Sequence, residues 1–254
     1  MVIAEKITFE GPHDALVWKS PIEDFNASSQ LLVDETHEAL LIVNGYAADL
    51  FKAGQRPLSV SNIPLAKNLI SIPTDGKSPF SGKVFYINKV HALDLLWGTK
   101  TPTALVDPLY DIFINVMVNG SISISVENAR KFMLTIVGFQ DQFTAKDLIN
   151  KFRGIISSHV KDYISQIMIN GMLSYFMMNA HLMEVSSVVK EKLDTVFENY
   201  GVKVQYFNIE TIEVPVADYK KVQEAKERRT SRMIENYSWH DERRMLIAEK
   251  LASN

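Results

Sequence analysis

The chain contains no cysteine. Disulfides, thiolate nucleophiles and cysteine zinc sites are therefore excluded, which fits a cytoplasmic setting. It also lacks a long apolar run. The longest stretch without charge covers residues 163–183, and Ser165, Gln166, Asn170, Gly171, Ser174, Asn179 and His181 interrupt it. A spanning helix needs about 20 predominantly apolar residues, so this stretch reads as a buried or interfacial helix. The first residues, Met1-Val2-Ile3-Ala4-Glu5-Lys6, have neither the basic nor the apolar region of a signal peptide. Val2 removes the myristoylation signal. Any membrane contact is expected to be peripheral or delivered by a partner.

An excess of one charge is missing too. Lys and Arg number 27 and Asp and Glu 30, a net charge of -3. That balance gives no general attraction to nucleic acid or acidic lipid, though a local patch can still act. Catalytic signatures are absent as well: there is no Gly-x-Ser-x-Gly elbow and no Gly-x-x-x-x-Gly-Lys phosphate loop. The histidines are His13, His37, His91, His159, His181 and His240. Neither His37-Glu38 nor His240-Asp241-Glu242 completes an HExxH or Glu-x-x-His ligand set, so isolated structural histidines are favoured. No catalytic residue, metal or cofactor is expected, and the chain reads as a non-enzyme.

What is present is 254 residues, 46% of them hydrophobic, enough for one large domain or two small ones. The first thirty residues read as irregular, with turn signals at Gly11-Pro12 and Ser20-Pro21 around Trp18. Strand signals start at Leu31. Asn44-Gly45 between apolar runs predicts a two-residue hairpin, because both residues tolerate positive φ. Short segments punctuated by Pro57, Pro64, Pro73 and Pro79 follow, and residues 84–97 read as one or two strands.

Residues 112–126 pose a parity question. Ile112, Ile114, Val116, Val118, Ile122, Ile124 and Val126 are all even. A two-residue turn at Asn119-Gly120 would set Val116 opposite Ser123 and mix core with solvent residues on each face. One long strand keeps every even residue on one face and is preferred, with Gly120 at a bend or bulge. Helices are expected next: 128–137 ended by Gly138, then one opened by the capping-box-like Thr144-x-x-Asp147, then another near 187–200 stopped by Gly201. A strand, partly buried on both sides or bulged, runs to Pro215. The methionines Met168, Met172, Met177, Met178 and Met183 suit core filling better than an adaptable docking surface.

Residues 217–252 hold no proline or glycine and are dense in charge. Tyr219, Val222, Met233, Tyr237, Met245 and Leu246 form a sparse apolar stripe without a clean heptad. Such a helix needs a partner, and the sequence stops in the middle of this pattern. Lys220-Lys221 and Lys226-x-Arg228-Arg229-x-x-Arg232 form a basic run interleaved with Glu224, Glu227 and Glu235. A solvated face or inter-subunit pairing is favoured there over lipid or nucleic acid. The element order is α+β.

The pieces Trp18-Lys19-Ser20-Pro21-Ile22-Glu23-Asp24-Phe25, Gln30-Leu31-Leu32-Val33, Asn62-Ile63-Pro64-Leu65, Ser78-Pro79-Phe80, Tyr86-Ile87-Asn88-Lys89, Trp97-Gly98-Thr99 and Asp107-Pro108 occur in that order. The string Tyr200-Gly201…Phe207-x-Ile209-x-x-Ile212-x-x-Pro215 closes the series. With them the chain resembles the stomatin–prohibitin–flotillin (SPFH, band 7) superfamily, in its bacterial soluble, virion-core-protein-like branch. Three features depart from that pattern: Ala53-Gly54-Gln55-Arg56-Pro57 replaces a Pro-Gly-Arg-Tyr-like turn, there is no cysteine zinc ribbon, and no N-terminal anchor is evident.

The resemblance implies an antiparallel-rich sheet with packed helices, followed by an extended helix. The expected division is a packing segment at 1–29, the SPFH domain at 30–215 and a coiled-coil-like helix at 216–254. It also implies a non-enzymatic scaffold that self-associates and gathers proteins at the cytoplasmic face of a membrane. Homo-oligomerisation is assigned to Tyr219, Val222, Met233, Tyr237 and Met245. Trp18 and Phe25 are candidates for membrane approach, with packing on the sheet as the equal alternative for Trp18. The expected partners are a second copy, a membrane-associated protein and peripheral lipid, with no nucleic acid. The alternative is a soluble protein–protein adaptor without lipid contact.

Overall fold

The computed structural model describes residues 6–23, 29–58, 82–90, 92–171 and 173–252, with side chains described for all of these except 92–94, 171, 236–242 and 245–252. The fold is α+β and divides into two units. The first comprises 1–97, 121–156 and 187–208, the second 98–120, 157–186 and 209–254.

The first unit is built on two sheets. In the smaller, β1 (Lys6–Ile7) pairs parallel with β3 (Gln30–Val33), which pairs antiparallel with β6 (Gly54–Pro57). In the larger, β11 (Gln142–Thr144), β2 (Ala15–Lys19), β7 (Gly82–Asn88), β4 (His37–Val43) and β5 (Tyr46–Phe51) lie in that order, all antiparallel. The irregular reading of the first thirty residues is thus corrected. The turn signals bracket a strand that sits inside the sheet, and its pairs come from residues more than sixty positions away. The Asn44-Gly45 hairpin forms as expected: Val43 faces Tyr46, with φ of 49° and 81° at the two turn residues. Phe25, Met172 and the pieces around Pro64, Pro73 and Pro79 fall outside the described residues.

Between the sheets lies a core of Ile7, Leu31, Val33, Ala39, Leu41, Val84 and Tyr86. Tyr86 Oη lies 2.8 Å from Ile7 O and 3.0 Å from Leu32 O, which share its single proton. Burial pushes this phenol well above its ordinary pKa.

A further sheet has the order β12–β10–β8, with β9 also on β10. These are β8 (Ala92–Gly98), β9 (Thr103–Asp107), β10 (Ile112–Val126) and β12 (Val202–Glu213). The segment read as one or two strands is thus two, β7 and β8. Strand β10 is unbroken, and its even residues from Ile114 to Val126 are buried. Its serines are not solvent-facing, however: Ser121, Ser123 and Ser125 are buried too, and Ser125 Oγ accepts from Gln205 Nε2 at 2.7 Å. Strand β12 switches its buried face, from Val204 to Phe207 and Ile209 and then to Ile212, and leaves Tyr206 exposed.

The helix boundaries follow local chemistry. Asn128 caps α1 (Ala129–Phe132) by accepting from Lys131 N–H; a π-helical turn (Met133–Val137) continues it, and Gly138 at φ 65° ends it. For α2 (Ala145–Gly171), Thr144 and Asp147 form the expected reciprocal cap. Thr144 N–H and Oγ1 donate to Asp147 Oδ2 at 2.9 and 2.7 Å, and Asp147 N–H donates to Thr144 Oγ1 at 3.2 Å. These bonds hold the Asp147 carboxyl below its usual value. Leu148, Phe152, Ile156, Val160, Ile164 and Met168 are buried at every fourth position. The short α3 (Tyr175–Ala180) precedes α4 (Leu182–Glu198), which starts five residues before the expected Ser187. Gly201, at φ 75°, ends that run where no side chain fits: a Cβ there would meet Asn128 O at 2.6 Å. The last element is α5 (Val216–Ala252).

Candidate functional site

The residues assigned to assembly lie on α5, so the surface is built from that helix upward within the second unit. Its first turn is fastened by Asp218, a carboxylate only 4% exposed. Asp218 Oδ2 accepts from Asn115 N–H at 3.0 Å and from Asn115 Nδ2 at 2.6 Å, while Lys221 Nζ donates to Oδ1 at 2.6 Å. The Lys221 bond, then the Asn115 bonds, hold the carboxyl below its ordinary value. Val222 and Ala225, one and two turns on, are buried. Arg229 Nη1 then donates to Leu109 O at 2.5 Å, and its guanidinium lies 5.8 Å from the Tyr110 ring. Lys226 Nζ sits 5.5 Å from the Phe176 ring. Polar anchors and an apolar stripe together fix the first four turns.

Beyond Arg229 the pattern changes. At 3.6 residues per turn, Met233 stands about 20° around the axis from Val222. Val222 is 1% exposed and Met233 60%. The same face is covered at one end and bare three turns later, and Ile234 beside it is 63% exposed.

The five assembly residues therefore divide. Tyr219 and Met233 present apolar surface. Val222 does not, because it is buried within the chain, and its place in the assembly set is corrected to a core role. Tyr237 and Met245 lie on the helix, with side chains outside the described set. Trp18 is half-buried, edge-on to Phe9 at 5.4 Å and 6.0 Å from Tyr86, as the packing alternative expects. The methionines split: Met168 and Met178 are buried, Met177 and Met183 exposed.

Two surface features escaped the sequence reading. Phe113 is 74% exposed, and its cross-strand partner Val106 shares its exposed face. Phe113 is the one odd-numbered large apolar residue at the start of β10, and its parity was the available signal. Ile234 falls between Tyr237 and Met245 around the helix axis and belonged to the same stripe. Among the described residues, no group of three or more His, Asp or Glu side chains is placed to hold a metal ion. None of the described helices is long and apolar enough to cross a membrane.

A model of the SPFH domain–Band 7 family matches residues 18–234. The chain belongs to the SPFH family. The match runs from β2, through the sheets and helices, to the turn of α5 at which the buried stripe becomes bare. SPFH proteins are known for membrane-associated scaffolding and are generally not enzymes. No curated protein matches the chain.

Proposed function

We propose that this SPFH protein is a non-enzymatic homo-oligomeric scaffold, bacterial and cytoplasmic, that gathers proteins at a membrane surface it meets peripherally. One observation carries the reading: the face of α5 that is buried at Val222 is bare at Met233. An apolar helix face without cover in its own chain is stabilised by a second copy packing along it, through a coiled-coil-like contact. Tyr219, Met233, Tyr237 and Met245 supply that contact, and a membrane-associated protein is the further partner.

The test is solution mass by light scattering on the wild type and on Met233→Glu/Tyr237→Glu. The wild type should run as a multimer and the double variant at lower mass. A second chain ending after Arg232 keeps the turns that pack within the unit and should behave like the double variant. An unchanged mass in both would overturn assembly through α5. A wild-type monomer would favour a soluble adaptor.

A further inference from the structure

Within the second unit, residues 109–112, the turn from β9 into β10, form one wall of an open cleft of about 520 Å³, and Ala225, Arg228, Arg229 and Arg232 of α5 form the other. Both walls are built. Asp107, 1% exposed, accepts Leu109 N–H and Tyr110 N–H on Oδ1 at 2.9 and 3.2 Å, and Tyr175 N–H on Oδ2 at 2.9 Å. That buried carboxylate fixes the turn. Arg229 is half-buried, stapled to Leu109 O and lying against Tyr110, so its guanidinium is held at the cleft wall.

Within the cleft lining three guanidiniums meet one carboxylate, Asp111, while on the other side Arg228 and Arg232 border a groove with Glu224, Glu227 and Glu235. Arg228 donates through Nε to Glu224 O, and its Nη2 is 3.8 Å from the Glu224 carboxylate, a long and exposed pair. Arg229 and Arg232 make no ion pair among the described residues, although Asp111 lines the same cleft. Three guanidiniums within two helical turns repel one another, a repulsion that the neighbouring glutamates offset in part and an anion in the cleft would relieve further. Their planar forks match phosphate oxygens two at a time.

We propose that this cleft binds a phosphomonoester-rich anion, either a phosphorylated lipid headgroup or a free polyphosphorylated small molecule. The site adjoins the bare face of α5 on its N-terminal side, and the inference does not depend on assembly.

The test is titration calorimetry of the full chain with pyrophosphate, for wild type and Arg228→Gln/Arg232→Gln. Both arginines are exposed, so the variant should keep the wild-type melting temperature and bind at least about tenfold more weakly. In parallel, flotation is measured with phosphatidylcholine vesicles carrying a phosphatidylinositol bisphosphate, and with phosphatidylserine vesicles matched in charge. Pyrophosphate binding with selective flotation on the inositide supports the headgroup source; pyrophosphate binding without flotation supports the free one. Absence of pyrophosphate binding, equal binding by the variant, equal flotation on phosphatidylserine, or equal binding of polyglutamate would each overturn the proposal. Solution mass is unaffected by any of these outcomes, so failure here and failure of the scaffold reading are distinguishable.

Discussion

Two hairpins of this chain turn by opposite means. The β4–β5 turn needs only Asn44 and Gly45, whose φ of 49° and 81° suit the twist of the flanking strands. An added Cβ on Gly45 meets nothing within 4 Å, so the requirement there is purely a backbone one. The β9–β10 turn has Asp111 at φ 52°, yet what holds it comes from elsewhere. The buried Asp107 carboxylate ties it to Tyr175, and Arg229, 120 positions away, takes Leu109 O. A turn made by its own residues forms wherever they occur. A turn held by distant groups reports on the whole unit around it.

The largest break in this contrast is expected from Asp107→Ala. Three N–H groups lose their acceptor, which should cost about 3 kcal/mol or more in denaturant unfolding. Asp107→Asn keeps one acceptor oxygen for the turn and loses the bond to Tyr175, so its loss should be about half. Equal losses in the two variants would mean that the link to α3 matters more than the turn. Gly45→Ala should cost less, about 1–2 kcal/mol from the left-handed backbone alone, with hydrogen exchange rising only at the tip of β4–β5.

The smallest effect separates the hairpins by pH. His37, which opens β4, has Nδ1 at 2.8 Å from Thr36 Oγ1 and Nε2 without a partner. Burial lowers its pKa, opposed by Asp34, so the folded state prefers neutral imidazole while the unfolded chain takes up a proton near 6.5. Its stabilisation is complete above 6.5 and lost as pH falls toward the depressed folded value. Asp218, which secures β10 through Asn115, is held below 3.8, so its stabilisation is complete above 3.8 and lost only as pH falls through that lower value. Amide exchange, corrected for the intrinsic rate at each pH, should therefore rise at pH 5 in β4 and not in β10, and His37→Leu should remove the rise. Equal acceleration in both strands would assign the acid response to another group.

Legibility in the sequence follows the same division. Asn44-Gly45, the Thr144/Asp147 cap, Gly138, Gly201 and the even parity of β10 are local, and the structure has each of them. Strand β2 was missed because its five residues are given strand character by β11 and β7. The buried serines of β10 were missed because their cover comes from other elements, such as Gln205 for Ser125. At the candidate surface, the apolar stripe of α5 was legible, but the point where its cover stops was not. That point depends on how far Asn115 and Leu109 reach along the helix.

The continuity of α5 has a mechanical side. Among the described residues, its last polar anchor to the β9–β10 hairpin is Arg229, and the helix runs a further 23 residues to Ala252. At 1.5 Å per residue that stretch of helix is about 35 Å long. It works as a lever with its fulcrum at the hairpin. A tilt of about 10° at Arg229 displaces the far end by about 6 Å, more than one helical turn. Small adjustments of the β9–β10 turn are thus magnified at the far end of the arm.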